Sequence, residues 1–449
     1  MKDLTKGNPA KVIFAFSMPM LLSMIFQQVY SVVDSIIAGN FINEDALAAV
    51  GASTPIVNIF IAVASGLSMG CSVIISQVYG TKHWTRLKSA ISTSVITVIV
   101  ASIIATIIGV STVDLFMTVL KTPQNIFEDS ALYLSIYTWG IFFMFIYNAA
   151  NAVFTGLGDS KTPLYFLIFS SVLNIFLDIL FVTSFKMGVA GVAWATFIAQ
   201  AIAGVASMAV LIKKVRNIKT EKSYKKFDFN MLLNMSKIGI PSILQQSFIS
   251  VGQLFVQSLI NSFGSAVVAG YTAGFKINVI CTSCITTFGN ALSSYSAQNL
   301  GANEKRRVIQ GARATMVMGL SLSLIFALLF FTAGDQIIQL FVGSDGSPEV
   351  VNIGSEFLKI VSMFYVVIAA KLVLDGVLRG IGKMGGFMAG TLIDLVLRVA
   401  FSFILAPIFG YIGIWYSWPI GWTLGFLAVL IAYIFARKEL KNTTQKVTV

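Results

Sequence analysis

The sequence predicts an all-α integral membrane protein, with twelve transmembrane helices in two six-helix lobes related by a pseudo-twofold axis along the membrane normal. Three observations predict it. Twelve apolar stretches reach or approach the roughly 20 residues that a helix needs to cross hydrocarbon. The chain of 449 residues is 56% hydrophobic and only 11% charged, the composition of a membrane protein and not of a soluble core. Four features of the first half also recur in the second half in the same order, offset by about 221–224 residues.

The spans follow from the apolar runs. Residues 12–38 form the first; Pro19 removes a helix hydrogen bond there and predicts a bend or hinge, and Asp34 lies near the far end. Spans 55–78 and 90–110 are joined by a turn carrying Lys82, Arg86 and Lys88. Span 132–154 carries Asn148 and Asn151, span 164–185 carries Asn174 and Asp178, and span 189–211 carries Thr196 about two turns from its start. A basic, polar stretch, 213–230, then divides the chain into lobes 1–212 and 231–449. The second lobe repeats the plan at 238–260, 269–297, 314–331, 357–378, 387–408 and 412–435. These lengths suit helices; barrel strands would appear as segments of about ten alternating residues. The repeat is carried by Pro19 and Pro241, SQVYG (76–80) and AQNLG (297–301), GLG (156–158) and GIG (380–382), and MGVAGVAW (187–194) and FGYIGIWY (409–416). Six is an even number, so both repeats start on the same side and the substrate path is expected between the lobes.

The net charge of +12 is not a nucleic-acid signature, because of where it falls. Of 31 Lys and Arg, 25 lie at the termini or in the even-numbered loops, and only Lys121 and Lys186 lie in the odd ones. The positive-inside rule therefore places both termini in the cytoplasm of a multi-pass protein of the cell membrane. No cleavable signal peptide is expected, since the first apolar run is too long and lacks a small-residue cleavage site. No phosphate-binding loop is present, so transport would draw on an ion gradient or be passive. A membrane enzyme would gather His, Asp or Cys near one face. The single histidine, His83, lies in a loop, and Cys281 and Cys284 sit inside an apolar run with no redox context.

The polar residues within the spans carry the functional reading. A carboxylate at membrane depth costs roughly 3 kcal/mol on insertion scales, so it seldom sits there without a partner or a task. Asn174 and Asp178 are four apart and share a helix face, as Tyr30 and Asp34 do. Carboxylate, amide and hydroxyl oxygens suit Na⁺, and two adjacent carboxylates can also share a proton. The alternative is a buried polar network that only locks helices together. In the second lobe Lys371 and Asp375 are four apart, as are Asp394 and Arg398. Their charges cancel, which fits either a structural ion-pair network or a gate on the inner side. Lys276 has no partner in the sequence pattern.

On these residues, over essentially its whole length, the chain resembles the multidrug and toxic compound extrusion (MATE) family, and within it the prokaryotic DinF-type branch. The resemblance rests on PMLLSMIFQQVYSVVDSIIAG (19–39), DALAAVGAS (45–53), GLGDSKTP (156–163) and AQNLGANEKRR (297–307). It implies a cation or proton site at Asp34, Asn174 and Asp178, with Thr196 and Asn151 at matching spacing and Pro19 at the position of a bending proline. Asn151 lies closer to the cytoplasmic side than the others. The span 238–260 carries Gln253 and Gln257 but no acid, so a second cation site in the carboxy-terminal lobe has only Asp375 to build on. The resemblance implies export of amphiphilic, often cationic, organic compounds in exchange for H⁺ or Na⁺ by alternating access. It implies no cofactor beyond the coupling ion and no nucleic-acid partner, and the chain is expected to act as a monomer in the bilayer. The competing reading is a flippase for lipid-linked precursors in the same superfamily. That would need a cationic cavity for a diphosphate, which Lys276, Lys371 and Arg398 would have to supply.

Overall fold

The computed structural model describes residues 2–42, 44–220, 223–343 and 347–445. The chain folds as helices joined by short turns: α1 (Pro9–Phe41), α2 (Glu44–Gly80), α3 (Trp84–Ser111), α4 (Val113–Val119), α5 (Gln124–Gly156), α6 (Lys161–Ile179), α7 (Gly188–Arg216), α8 (Phe229–Asn261), α9 (Ser265–Gly301), α10 (Lys305–Val342), α11 (Pro348–Ser362), α12 (Tyr365–Gly380), α13 (Met384–Phe409) and α14 (Tyr411–Gln445). Among the described residues eleven helices are long and apolar enough to span a membrane, and α11 with α12, bent by 56° at their junction, reaches that length and apolarity as a pair.

Every sequence-predicted span is present, with three refinements. The tenth is two helices. Pro348 starts α11 behind an N-cap in which the Ser347 hydroxyl accepts from the Val350 N–H at 3.3 Å. The Phe364 N–H then closes the helix on the Val361 carbonyl at 3.1 Å. The ninth span, α10, extends well past the predicted 314–331 and has a non-helical residue at Ala333, just before Gly334. The short helix α4 fills a loop that carries no long apolar run.

By packing, the described chain forms two compact units: Met1–Asp3 with Met18–Ile243, and Leu4–Ser17 with Leu244–Val449. Both divisions within helices fall beside the repeat-related prolines, just before Pro19 in α1 and just after Pro241 in α8.

In the first unit α5 is the central helix, with α2, α3 and α7 against it and α6 against α7. Small residues allow close backbone approach where the surrounding medium is apolar. A Cβ at Gly156 would lie 3.0 Å from the Ser72 carbonyl oxygen. The Ser76 hydroxyl uses that closeness to donate to the Gly156 carbonyl at 3.2 Å.

The second unit is built on a cluster of rings. Tyr271 of α9 stacks on Trp415 of α14 at 5.2 Å and 5°, and Phe357 of α11 meets both edge-on. The chain's amino-terminal segment belongs to this unit. Leu4 is fully buried, with its N–H donating to the Gln298 side chain at 3.1 Å and its carbonyl accepting from Asn299 at 3.3 Å. Arg307 donates to the Gly7 carbonyl at 2.9 Å. This explains why AQNLGANEKRR is polar where a helix ends: its amides and guanidinium hold the backbone of the amino-terminal segment.

The repeat is also visible in the turns. Gly158 and Gly382 both take positive φ, +76° and +78°, in matched turns that close α5 and α12. In the first unit Asp159 of that turn pairs with Lys214 at the end of α7 and accepts from the Thr162 N–H at 3.1 Å. In the second, Lys383 pairs with Glu439 at the end of α14 at 2.7 Å. The two staples occupy matched places with their charges reversed.

Burial alone would raise the Asp159 carboxyl, but hydrogen bonds from Lys214 and Thr162 and the Lys214 charge hold it below the usual carboxylate range. A carboxyl depressed on folding contributes stability that is fully present above the unfolded value of about 3.9 and lost as pH falls through the folded one. Asp159→Asn is therefore expected to lower the thermal midpoint at neutral pH by an amount equivalent to about 1–2 kcal/mol, between exposed and buried pairs. The deficit should vanish as the wild type is taken below that range; a deficit independent of pH would show that the pair's charge contributes nothing.

Candidate functional site

Asn174 and Asp178 lie one turn apart on α6, both buried, with Asp178 fully so. Directly after them the helix widens into a π-helical turn, Leu180–Ser184. Such turns are rare and occur often at functional sites. The chain then reverses through Lys186 and Gly188, both at positive φ, into α7. This tight return sets Thr196, the ninth residue of α7, beside the last turns of α6. The Asn174 amide donates to the Thr196 hydroxyl at 3.4 Å. Carboxylate, amide and hydroxyl are thus gathered near the α6–α7 reversal, with Asp178 and Thr196 about two turns from it and Asn174 about three.

Asp34 lies on α1. Its side chain, with that of Tyr30, lies outside the described residues. Asn151 sits five residues before the end of α5, about 8 Å along the axis. Its side chain accepts from Thr155 at 3.2 Å. Asn174 lies thirteen residues into α6, about 20 Å from the end that adjoins α5. Asn148 donates to the Met144 carbonyl at 2.9 Å, bonding back along its own helix. Helix α1 continues through Pro19, whose carbonyl accepts from the Ser23 hydroxyl at 2.9 Å.

In the second unit both i,i+4 pairs form. Lys371 and Asp375 meet at 3.0 Å, each about 4% exposed. Arg398 grips Asp394 Oδ1 through Nη2 at 2.6 Å and Nε at 3.3 Å, and lays its guanidinium 4.4 Å over the Trp418 ring. The two pairs converge on α14. A Cβ at Gly425 would lie 2.8 Å from Asp394 Cβ and 3.2 Å from Lys371 Cε, and one at Gly421 only 2.7 Å from Asp394 Oδ1. Glycine is required there because no side chain fits between the pairs.

Two polar groups escape a reading of spacing alone. Arg379, which the sequence places with the loop cations, is buried in the last turn of α12. It donates to Asn290 at 2.6 Å and Ser293 at 3.4 Å on α9, with Phe387 5.6 Å below. The Tyr365 hydroxyl donates to Asn278 at 2.8 Å, both residues being buried. These partners lie 86–89 residues apart, so neither pairing leaves a periodic mark. Lys276 gains an account: its side chain is exposed and its ammonium lies 5.7 Å from the Phe341 ring near the end of α10.

Among the described residues no group of His, Cys, Asp and Glu is arranged to hold a metal ion. Cys71, Cys281 and Cys284 are buried free thiols.

Comparison with known proteins agrees with this architecture. The MatE family model matches residues 19–180 and again 241–404, so its two copies begin at Pro19 and Pro241, the repeat prolines themselves. A probable multidrug resistance protein of Bacillus subtilis, YpnP, is 32% identical over 447 residues, covering 99% of each chain. A second from the same organism, YoeA, is 28% identical over 95% of this chain and 94% of its own. Among solved structures, a multidrug resistance MATE transporter in an outward-facing conformation superposes with a TM-score of 0.90 at 22% identity, covering 99% of each chain. The twofold family match and the full-length relatives place the chain in the MatE family of multidrug efflux transporters, which are membrane carriers and not enzymes.

Proposed function

We propose that the chain exports amphiphilic, often cationic, organic compounds across the cell membrane in exchange for H⁺ or Na⁺. The observation that carries this reading is the fully buried Asp178, one turn from Asn174 and its Thr196 contact. Asp34 joins the same site on the sequence pattern, and Asn151 stands toward its cytoplasmic approach. Loading of the site by a cation or proton neutralises a charge that the bilayer disfavours, and so biases a two-state cycle. One charge moving down 100 mV supplies about 2.3 kcal/mol for that bias. Lobes 1–212 and 231–449, joined by the linker 213–230, alternate access with Pro19 as a hinge. Lys371, Asp375, Asp394 and Arg398 hold the inner side of the carboxy-terminal lobe together. Relatives named for multidrug resistance and export support small organic substrates. Pairing of Lys371 and Arg398 with acids disfavours the flippase alternative, which needs those cations free for a diphosphate.

Both termini and the linker are assigned to the cytoplasm from the 25-to-2 distribution of loop cations. Everted vesicles test function and orientation together. Dye uptake into them is expected under an imposed pH gradient or Na⁺ gradient, and a Ser223→Cys variant should label with an impermeant thiol reagent in everted vesicles but not in intact cells. Transport insensitive to both gradients would overturn the antiport, and labelling in intact cells the orientation.

A further inference from the structure

One cavity lies apart from the polar site. It has a volume of about 550 Å³ and is walled entirely by α3, α5 and α7 of the first unit. Ile103 and Thr106 come from α3, Trp139 and Phe143 from α5, and Trp194 and Phe197 from α7. Four rings interlock edge-to-face behind it: Phe142 on Phe143 at 5.3 Å, Phe143 on Phe197 at 5.7 Å, and Phe197 on Trp194 at 5.2 Å. Such contacts hold the wall in one shape, so the cavity is built into the packing. Ile103, Trp139 and Trp194 are exposed on the outside of spans, where the surrounding medium is hydrocarbon and not water.

The lining is ordered by depth. Thr106 lies about 8 Å from the end of α3, and Trp194 about 9 Å from the start of α7. Ile103, Phe143 and Phe197 each lie about one turn deeper than Thr106, Trp139 and Trp194 on their own helices. Thr106 and Trp194 therefore stand within about 9 Å of their helix ends, Trp139 lies about 22 Å from the start of α5, and purely apolar side chains form the floor. One polar group stands at the mouth. The Thr106 hydroxyl is buried with no hydrogen-bond partner among the described residues. Rotation about χ1 exchanges its methyl and hydroxyl, so an acceptor in the cavity would satisfy it.

One acceptor at the interface followed by an unbroken apolar path matches an ester-linked phospholipid chain. We propose that this cavity is a binding site for one acyl chain of a membrane phospholipid, with the ester carbonyl accepting from Thr106 and the chain running past Trp139 and Trp194 to Phe143 and Phe197. The site contains no carboxylate and does not involve Asp178, so the inference rests on the membrane fold and not on the proposed antiport.

The test uses the full chain in proteoliposomes containing phosphatidylcholine with a photoreactive diazirine in one acyl chain, and maps the adducts by peptide mass spectrometry. Adducts are expected on residues 139–143 and 194–197 at several-fold higher yield than on Leu324, Ile325 and Leu328 of α10, which are highly exposed and lie outside this cavity. Equal yields would mean bulk lipid contact only and overturn the proposal. Ile103→Trp, which fills the cavity, should remove the excess in a variant that still elutes as a single species. Thr106→Val keeps the volume and removes the hydroxyl, so it should abolish the preference for an ester-linked over an ether-linked probe. Persistence of that preference in Thr106→Val would refute the assigned contact. Displacement of the probe by a transported aromatic dye would assign the cavity to substrate instead of lipid.

Discussion

Replacing Asp178 with Asn is expected to abolish ion-driven efflux while leaving the chain folded and inserted. The substitution keeps size, shape and much of the hydrogen bonding at a position with no solvent exposure. On the proposed antiport, it removes the charge that a coupling cation would neutralise or a proton would titrate. Removing a charge from membrane depth lowers the insertion cost by roughly 3 kcal/mol, so loss of fold is not the expected cause of failure. Gradient-driven dye transport should fall to the level of vesicles without the protein, with expression and elution profile unchanged. Asp34→Asn should do the same if both carboxylates serve one site. Full gradient-driven transport by Asp178→Asn would make it a structural residue.

The second large effect is expected at Asp375, and it should be of another kind. Asp375→Asn strands the Lys371 ammonium in an environment that leaves it about 4% exposed. Breaking one side of a buried pair typically costs about 3–5 kcal/mol, most of it from the unpaired charge that remains. The variant should express poorly or melt early. Adding Lys371→Met removes the stranded charge and nearly keeps the volume that Gly425 was needed to accommodate, so stability should be largely recovered. A well-folded Asp375→Asn that loses ion coupling, together with a normal Asp178→Asn, would instead move the coupling site to the second unit.

The spans were legible because hydrocarbon imposes one strong rule on every residue in a long run, and the i,i+4 pairs were legible because a helix has one period. Lys371–Asp375 and Asp394–Arg398 form as their spacing indicates. The Asn174–Thr196 contact joins different helices, but a short reversal connects them and limits where Thr196 can lie. What the sequence hid was contact between distant segments. Arg379 looks like one more positive-inside residue until Asn290 and Ser293 of α9 are seen to receive it. The 56° break between α11 and α12 occurs at Met363 and Phe364, with no proline or glycine to mark it. It is set by Tyr365, which turns into the second unit to meet Asn278, Phe330 and Trp422. The buried capture of Leu4 by Gln298 and Asn299 is equally silent in hydropathy, since one leucine near a polar terminus carries no pattern.

The reversed staples at Asp159–Lys214 and Lys383–Glu439 bear on how two similar halves of one chain avoid exchanging parts as they assemble. Each turn must find the last helix of its own half while a closely related helix is present on the same polypeptide. A crossed arrangement would set Asp159 against Glu439 and Lys383 against Lys214, acid on acid and base on base. Like charges brought together cost free energy that the correct pairing does not. The opposite polarity therefore disfavours the crossed pairings, modestly at the exposed Lys383–Glu439 pair and more at the partly buried Asp159–Lys214 pair, a distinction that two identical turns could not make.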